Sequence, residues 1–242
     1  MDFKISIADV SIEISSIYDD VYRMCEGYIT DRAPDFSVQI TQSDIKAERE
    51  NSIREAFVEH KPYVEFKDSY LETLAVYRKI ATKLLKFDAF LMHGAVVGLG
   101  GSAYMFTAPS GVGKTTHTRF WLKQFPEAFI VNGDKPIIRF KDGNIYAYGT
   151  PWSGKERQNT NTKLPLKSIC ILTRGKENAI KPITFSEIFP MIFQQTYRPT
   201  DEESLQKTME MIKRLGESVD FYIMKCNLDP NAANVAFEGM NK

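Results

Sequence analysis

Residues 107–118, TAPSGVGKTTHT, have the residue types and the spacing of a loop that holds phosphate groups. They follow a β-rich run and precede a helical one, which is the context of a P-loop. Small residues let successive backbone N–H groups turn inward around phosphates, and the following helix N-terminus adds the positive end of its dipole. The residues predicted to contact a nucleotide are Ser110, Gly111, Val112, Gly113, Lys114, Thr115 and Thr116.

Two side chains of this loop carry specific chemistry. Lys114 would reach the β- and γ-phosphates of a nucleotide, and the Thr115 hydroxyl would ligate Mg²⁺. Ala108 stands where the strict pattern has glycine. A first position with ordinary negative φ accepts alanine, whereas Gly111 and Gly113 are the positions that need the freedom of glycine. The alternative is an ordinary glycine-rich turn between a strand and a helix.

Asp134 is the carboxylate that the spacing pairs with this loop. It lies 20 residues after Lys114, at the end of an apolar strand, which leaves room for one helix and a return strand. That arrangement would bring Asp134 beside the phosphates, where it could hold Mg²⁺ or accept a proton from an attacking hydroxyl. The alternative is a turn aspartate, because the surrounding NGDKP consists of turn residues.

Positive charge for a transferring phosphoryl group is expected from the polar loop 150–161. Lys155 and Arg157 lie there, and a mobile lysine or arginine can stabilise such a group; the alternative is a solvated pair of surface charges. Trp152 is predicted to fill a core position, and the alternative is that it stacks on a base. His117 and Arg119 follow the P-loop on its helix and are predicted to face outward without a catalytic role.

Hairpins and strands dominate the chain around these residues. Alternating apolar residues predict strands over 3–14 with a turn at Ala8-Asp9, and further strands at 36–40 and 63–67. Residues 43–58 are highly charged and are either a helix or an excursion. Ser69 and Glu72 have the spacing of a capping box, which predicts a helix from about 69 to 87.

The second half of the chain alternates in the same way. Gly98–Gly101 and Asp142-Gly143 each separate two β-rich runs and predict hairpins. Thr200 and Glu203 have the spacing of a second capping box. The remaining predicted elements are helices over 115–124 and 200–217, strands over 128–134, 168–174 and 221–226, and a short helix after Pro230. A purely parallel doubly wound sheet does not fit this pattern, and the fold class is mixed, hairpin-rich α/β.

Composition excludes several classes of protein. The 242 residues carry 31 Lys+Arg and 31 Asp+Glu, so no basic excess favours nucleic acid or an anionic membrane as a partner. No apolar stretch approaches the length of a membrane span. Three widely spaced cysteines without a CxxC pair argue against a zinc site and fit reduced thiols in the cytoplasm. We expect a cytoplasmic protein with a region 1–88 packed on a core of residues 89–242.

The run MHGAVVGLGGSAYMFTAPSGVGKTTHT, with FIVNGDKP after it, resembles the catalytic domain of HPr kinase/phosphorylase. That resemblance covers about residues 91 to 136. It implies a phosphoenolpyruvate-carboxykinase-like P-loop core with a mixed, barrel-like sheet and packed helices, and it implies a possible homo-oligomer. His93 matches the histidine of the family's His-Gly pair, and Asp134 matches one of its two adjacent aspartates. Gly133 occupies the place of the other.

Three functions remain open at this stage. The leading one is an ATP- and Mg²⁺-dependent kinase that phosphorylates a hydroxyl on a small molecule or a protein, with Asp134 as base or metal ligand. Its catalytic residues would be Asp134, Lys114, His93, Lys155 and Arg157, and its metal ligands Thr115 and Asp134. The second is a carboxykinase-type enzyme. The third is a nucleotide-binding regulatory or peptide-binding module without catalysis, which the single carboxylate favours.

Overall fold

The chain divides into two units, Met1–Lys83 and Leu84–Lys242, in a computed structural model that describes residues 1–58, 60 and 62–241. The sequence predicts a domain boundary after residue 88, and that domain assignment stays a prediction. Within the described residues, no helix is both long enough and apolar enough to cross a membrane.

The first unit contains a small sheet and three helices among its described residues. Strands β1 (Asp2–Ile7) and β2 (Val10–Ser15) are antiparallel, and β3 (Phe36–Gln39) runs parallel to β2. Ala8 and Asp9 form the turn with φ of 54° and 59°, as the change of alternation predicts. The helices are α1 (Asp19–Cys25), α2 (Gln42–Val58) and α3 (Asp68–Leu84). The charged stretch 43–58 is therefore helical.

Two predictions in this unit are wrong. Residues 63–67 form no strand, because an alternating pattern becomes a strand only where a partner strand is available. Ser69 does not cap α3, since the helix begins one residue earlier, at Asp68. The carboxylate of Glu72 instead accepts hydrogen bonds from the backbone N–H groups of Ile17 (2.5 Å) and Tyr18 (2.8 Å). The Glu72 carboxylate, which would complete a local capping box, is thus bonded to a distant segment of the chain.

Nine strands of the described second unit form one mixed sheet. Its longest strand, β10, pairs in parallel with β6 and β12 and antiparallel with β9, so the sheet is not purely parallel, as predicted. The strands are β4 (Ala89–Leu91), β5 (Ala95–Leu99), β6 (Ser102–Thr107), β7 (Phe129–Asn132), β8 (Ile137–Lys141), β9 (Asn144–Tyr148), β10 (Lys163–Arg174), β11 (Ala179–Pro182) and β12 (Asp220–Cys226). The path runs β4-β8-β9-β10-β6-β5-β7, with β12 on β10 and β11 on β12.

Both hairpins predicted in this unit are present. Gly100 and Gly101 join β5 to β6 with φ of 57° and 76°, and Asp142 and Gly143 join β8 to β9 with φ of 51° and 76°. Two central residues with positive φ give the turn that matches the twist of antiparallel strands. Local backbone requirements therefore fixed these two connections.

The helices of this unit are α4 (Lys114–Gln124), α5 (Phe185–Gln195), α6 (Glu202–Gly216) and α7 (Ala232–Gly239). Helix α5 and strand β11 escaped sequence analysis. Thr184 and Glu187 form a true capping box at the start of α5. The box predicted at Thr200 is wrong: Asp201 is the N-cap of α6, and its carboxylate accepts from the Ser204 N–H at 2.9 Å.

Two apolar clusters cover the two faces of the large sheet. One joins Met105 of β6 and Ile171 of β10 to residues of α5 and α6. The other joins Phe106 of β6 to Trp121 of α4 and Ala236 of α7. Neighbouring residues of β6 therefore enter opposite clusters, as the alternation of a strand requires. The end of β6 and the start of α4 are held by this second cluster, and the phosphate loop connects them.

Candidate phosphate-binding site

The phosphate loop, Ala108–Thr115, connects β6 to α4 as predicted. Gly111 and Gly113 adopt φ of 81° and 123°, which is a region that residues with a side chain rarely enter. A Cβ added at either glycine would meet nothing within 4 Å, so the loop surrounds open space. Ala108 keeps an ordinary backbone conformation and is fully buried in the cluster of Phe106 and Trp121. Alanine at this position is therefore a packing residue.

The loop presents unengaged donors at the start of α4. In the described part of the chain, the N–H groups of Gly113, Lys114 and Thr115 donate to no protein acceptor. The first intrahelical bond here is from His117 N–H to the Gly113 carbonyl, at 2.9 Å. Unengaged N–H groups and the helix dipole together make this end of α4 suited to an anion.

Lys114 folds back over the loop. Its Nζ donates to the carbonyl oxygen of Ala108 at 2.8 Å. Burial lowers the pKa of Lys114, and the negative charge of Asp134 opposes that shift. The ammonium therefore lies within the electrostatic reach of the carboxylate that the sequence paired with it.

Asp134 is held by a loop whose polar groups are satisfied. Asn132 is fully buried, and its Oδ1 accepts from the N–H groups of Asp134 (2.9 Å) and Lys135 (2.7 Å). Its Nδ2 donates to the carbonyl and the hydroxyl of Thr150, both at 3.0 Å. The Gly94 N–H donates to the Asp134 carbonyl at 2.8 Å. These contacts to its backbone N–H and carbonyl groups fix the position of Asp134.

The carboxylate itself has two cationic or potentially cationic neighbours. Oδ1 lies 3.2 Å from Nε2 of His93, and Oδ2 accepts from Nζ of Lys135 at 3.0 Å. Burial raises the pKa of Asp134, but hydrogen bonding from His93 and the charge of Lys135 outweigh it and lower the pKa to about 2. Asp134 is thus an anion at every pH near neutrality.

His93 connects Asp134 to the end of α5. Its Nδ1 lies 2.8 Å from Oε1 of Gln195, and its backbone N–H donates to the Gln195 carbonyl at 2.7 Å. Thr107, the last residue of β6, donates from its hydroxyl to the His93 carbonyl at 2.8 Å. A neutral imidazole donates from one nitrogen only. Both hydrogen bonds therefore form together only when the ring is protonated and donates both, or when the Gln195 amide turns its NH₂ toward Nδ1 and Nδ1 accepts.

Gly133 lies under the loop 153–158. Its N–H donates to the Gln158 carbonyl at 2.9 Å. A Cβ built on Gly133 would lie 3.1 Å from the Ser153 carbonyl oxygen and 3.3 Å from that of Gln158, tighter than nearly all real Cβ contacts. A second carboxylate at this position would require that loop to move.

The same loop carries Lys155 and Arg157, both exposed. Gly154 has a φ of 75°, and a Cβ there would lie 3.1 Å from the Cβ of Asp134, so the loop touches the carboxylate residue. Glu156 pairs with Arg119 of α4 at 2.8 Å. The structure therefore brings the loop of Lys155 and Arg157 to both Asp134 and the helix of the phosphate loop.

The predicted outward orientation is wrong for His117 and right for Arg119. His117 does not face outward but is 2% exposed, and burial lowers its pKa to about 4. Trp121 donates from Nε1 to His117 Nε2 at 3.1 Å, one helical turn away. Arg119 is exposed, as its pair with Glu156 requires. Trp152 is 7% exposed and fills a buried position, as predicted.

The oxygen donors near the phosphate loop fit Mg²⁺ bound together with a nucleotide. The described residues contain no cluster of three or more His, Cys, Asp or Glu side chains suited to a metal. Mg²⁺ commonly uses one or two protein oxygens, phosphate oxygens and water, rather than such a cluster. Among the described residues, the Thr115 hydroxyl in the first turn of α4 and the ionised Asp134 are oxygen donors of this kind.

Three residues of the site escaped sequence analysis. Asn132 and Lys135 flank Asp134 in the chain, and the only signal for them was that proximity. Gln195 is 102 residues from His93 along the chain and lies in a helix that was itself missed. No local pattern could have paired it with His93, because the contact depends on the packing of α5 against the sheet.

Comparison with known proteins gives a loose likeness of fold. No protein-family model matches the chain, and no curated protein matches it. Among solved structures, the chain is similar to the Hpr(Ser) kinase/phosphatase from Coxiella burnetii, with 10% sequence identity and a TM-score of 0.29. The match covers 52% of this chain and 90% of that one. At this identity and TM-score, the likeness identifies neither a substrate nor a catalytic residue.

Proposed function

We propose that this chain is an ATP- and Mg²⁺-dependent phosphotransferase that phosphorylates a hydroxyl on a small molecule or a protein. One observation carries the proposal: an open phosphate loop, with unengaged N–H groups and Lys114, lies within electrostatic reach of the fixed anion Asp134. A loop that binds phosphate needs only the first feature. Phosphoryl transfer also needs a carboxylate that meets the metal or the acceptor hydroxyl.

Several cations of the site would share in neutralising the negative charge of the transferring phosphoryl group. The Lys114 ammonium would leave the Ala108 carbonyl for the β- and γ-phosphate oxygens, because an anionic acceptor binds an ammonium more strongly than a neutral carbonyl does. Lys155 and Arg157, exposed on a loop that contacts Asp134, would neutralise the γ-phosphate from the other side. Thr115 and Asp134 would hold Mg²⁺, which supplies Lewis-acid stabilisation of the phosphate oxygens when bound.

Asp134 would orient the acceptor hydroxyl and receive its proton as the bond to phosphorus forms. A carboxylate with a pKa near 2 is a weak base, so it acts late, when the hydroxyl has become acidic. His93 holds one carboxylate oxygen at 3.2 Å and Lys135 holds the other at 3.0 Å, so the acceptor hydroxyl would meet the remaining lone pairs of the carboxylate. His93 is in this scheme the residue that positions Asp134.

A nucleotide-binding module without catalysis is the second candidate. The observation in its favour is that both oxygens of the single carboxylate are already engaged, by His93 and Lys135. Gly133 beside it offers no second carboxylate. Such a module would bind ATP or ADP and would convert no ATP to ADP and phosphate. A cytoplasmic location and assembly into a homo-oligomer stay predictions for both candidates.

Titration calorimetry with ATP and ADP, with and without Mg²⁺, tests the phosphate loop. We expect binding that is tighter with Mg²⁺ and that is lost or strongly weakened in Lys114→Ala. Unchanged affinity in that variant would overturn the phosphotransferase proposal and the binding module together. Release of ADP from ATP, measured with hydroxyl acceptors supplied in turn, then separates the two candidates, because the binding module releases none.

A further inference from the structure

A cavity of about 490 Å³ lies beside the phosphate loop in the second unit. Its lining includes Gly111, Val112 and Gly113 of the loop and Phe120 of α4. The lining also includes Arg174 at the end of β10 and the segment Cys226–Leu228 at the end of β12. Its size is within the range of roughly 300–1,000 Å³ that is usual for small-molecule sites.

The cavity and the phosphate loop share three residues, so one ligand can occupy both. Gly111 and Gly113 have the positive φ values that open the loop, and Val112 lies between them. A molecule whose phosphates accept from the N-terminal N–H groups of α4 would continue directly into the cavity. A nucleotide has this shape: a phosphate chain attached to a flat, largely apolar ring system.

The side chains that would meet the ring system are apolar. Phe120 is half-buried and offers an aromatic ring, and Val112 faces the same space. Leu228 is 81% exposed, the most exposed large apolar side chain of the described residues, and it lies at the cavity wall. A single exposed leucine is common on protein surfaces. Here it lines the same cavity as the aromatic ring of Phe120, and an aromatic and an aliphatic side chain can both pack against a nucleobase.

The polar groups of the walls are largely engaged by the protein itself. Asn227 donates from Nδ2 to the Lys176 carbonyl at 2.8 Å, and its Oδ1 accepts from the Asp229 N–H at 2.9 Å. The thiol of Cys226 contacts the Thr173 carbonyl at 3.4 Å. These bonds use one donor and one lone pair of the Asn227 amide and hold its orientation to the protein's own backbone. The walls therefore offer little that distinguishes adenine from guanine.

Thr116, Arg174 and His117 carry the remaining side-chain donors of the walls, and these donors suit oxygens that all nucleoside triphosphates share. Arg174 uses one guanidinium nitrogen to donate to the Gly111 carbonyl at 2.7 Å and keeps its other N–H donors. His117 accepts from Trp121 at Nε2, which assigns the ring proton to Nδ1, and this buried Nδ1 has no acceptor among the described residues. Ribose and α-phosphate oxygens would accept hydrogen bonds from these donors.

We propose that this cavity holds the nucleoside part of a nucleoside triphosphate by shape and apolar contact, without reading the edge of the base. The proposal rests on the proposed function, because it takes the phosphate loop as the place of the phosphates. Its consequence is that ATP and GTP bind with similar affinity. A site that hydrogen-bonds one base would reject the other strongly, since mismatched polar groups would be left unpaired.

Competition titrations against a fluorescent ATP analogue test this in the presence of Mg²⁺. The competitors are ATP, GTP and inorganic tripolyphosphate, and the proteins are the wild type, Leu228→Ser and Phe120→Leu. Both substitutions are uncharged and leave the phosphate loop unchanged. Phe57→Ser is the matched control, because Phe57 is 79% exposed on α2 in the first unit. Leu228 is exposed in an irregular segment, so its variant keeps the test valid if Phe120→Leu folds poorly.

We expect ATP and GTP to agree within about threefold in the wild type, and Leu228→Ser to weaken both by roughly fivefold with tripolyphosphate unchanged. The cavity proposal is overturned if ATP and GTP differ by more than about tenfold, because the base is then read. It is also overturned if Leu228→Ser and Phe120→Leu leave both nucleotides unchanged while tripolyphosphate binds, in which case the proposed function still stands. Absence of binding by all three competitors overturns both.

Discussion

The phosphate loop and the loop of Asp134 lie in the same unit, yet they treat their polar groups in opposite ways. In the phosphate loop, N–H groups of Gly113, Lys114 and Thr115 have no acceptor in the described chain, and added Cβ atoms would meet open space. Around Asp134, both carboxylate oxygens are bonded, and an added Cβ on Gly133 would be crowded.

This difference indicates a division of labour. Groups that bind a ligand must be unsatisfied before the ligand arrives, because only then does binding add interactions. Groups that act in the transition state must already be in place, because reorganisation at that moment would raise the barrier. The open loop, which is the phosphate loop, therefore suits ligand binding. The closed loop, which is the loop of Asp134, suits the chemical step. Each of the following changes affects one loop and should leave the other unchanged.

The largest effect is expected from Asp134→Asn, which removes the anion and keeps the shape. If the closed loop serves chemistry, turnover should fall roughly a thousandfold, in the range seen when one catalytic group is removed, while the Kd of ATP changes little. The measurement is ADP release beside calorimetric binding. Asp142→Asn, on a hairpin turn that tolerates asparagine, is the control. Equal losses in binding and turnover would instead limit Asp134 to holding the metal.

Helix α4, which follows the phosphate loop, and the loop of Asp134 should also differ in their response to pH. Burial lowers the pKa of His117 from 6.5 to about 4, so the unfolded chain takes up a proton below pH 6.5 that the folded chain refuses. Stability is therefore complete above 6.5 and falls as pH decreases to 4, by about 3 kcal/mol. Asp134, with its lowered pKa of about 2, stays ionised through this window, and its own contribution is lost only as pH falls from about 4 toward 2.

His117→Gln separates the two contributions. The glutamine oxygen can still accept from Trp121 Nε1, but it does not titrate. We expect urea unfolding between pH 7.5 and 5 to show a much flatter stability curve for this variant than for the wild type. His60→Gln, at an exposed position, is the matched control. A wild-type slope in His117→Gln would mean that another group is responsible for the loss.

Lys114→Ala tests the open loop with an intermediate effect. The ammonium is the one positively charged side chain of the P-loop pattern, and charge-assisted hydrogen bonds to phosphate should be lost. We expect the Kd of ATP·Mg²⁺ to rise roughly fiftyfold, with the Tm nearly unchanged because Lys114 bonds only to a carbonyl in the free protein. Lys123→Ala, exposed in the last turn of the same helix, is the control. A nucleotide Kd equal to that of the control would contradict the P-loop interpretation.

The two loops also differ in how far the sequence could predict them. The phosphate loop is a local structure: its glycines, the hairpin before it and the helix after it follow from the turn and helix signals of neighbouring residues. The surroundings of Asp134 are not local. Gln195 reaches His93 through a missed helix, and Gly133 is crowded by carbonyls of a distant loop. Contacts between distant segments depend on packing, which no spacing records.

The capping boxes show the same limit, because a local pattern can be present in the sequence and still be overridden by contacts with distant segments. The Ser69–Glu72 pattern is present in the sequence but is not used, because backbone N–H groups of Ile17 and Tyr18 take the Glu72 carboxylate. His117 was placed on the outer face for a similar reason: the helix pattern alone does not show that Trp121 and Phe106 enclose it. The i, i+4 spacing of His117 and Trp121 was the available signal.

The smallest expected effect comes from Gly133→Ala, which tests whether the Asp134 loop is as closed as its contacts indicate. The added Cβ would lie 3.1 Å and 3.3 Å from the carbonyl oxygens of Ser153 and Gln158, so the loop 153–158 must shift. We expect a loss of about 1 kcal/mol in the free energy of unfolding. Gly27→Ala is the matched control, because a Cβ there meets nothing within 4 Å and its φ is not positive. Since the loop that must shift carries Lys155 and Arg157, turnover in Gly133→Ala should fall while the Kd of ATP is retained. A variant as stable and as active as the control would show that the loop yields at no cost, and the contrast between an open and a closed loop would then be lost.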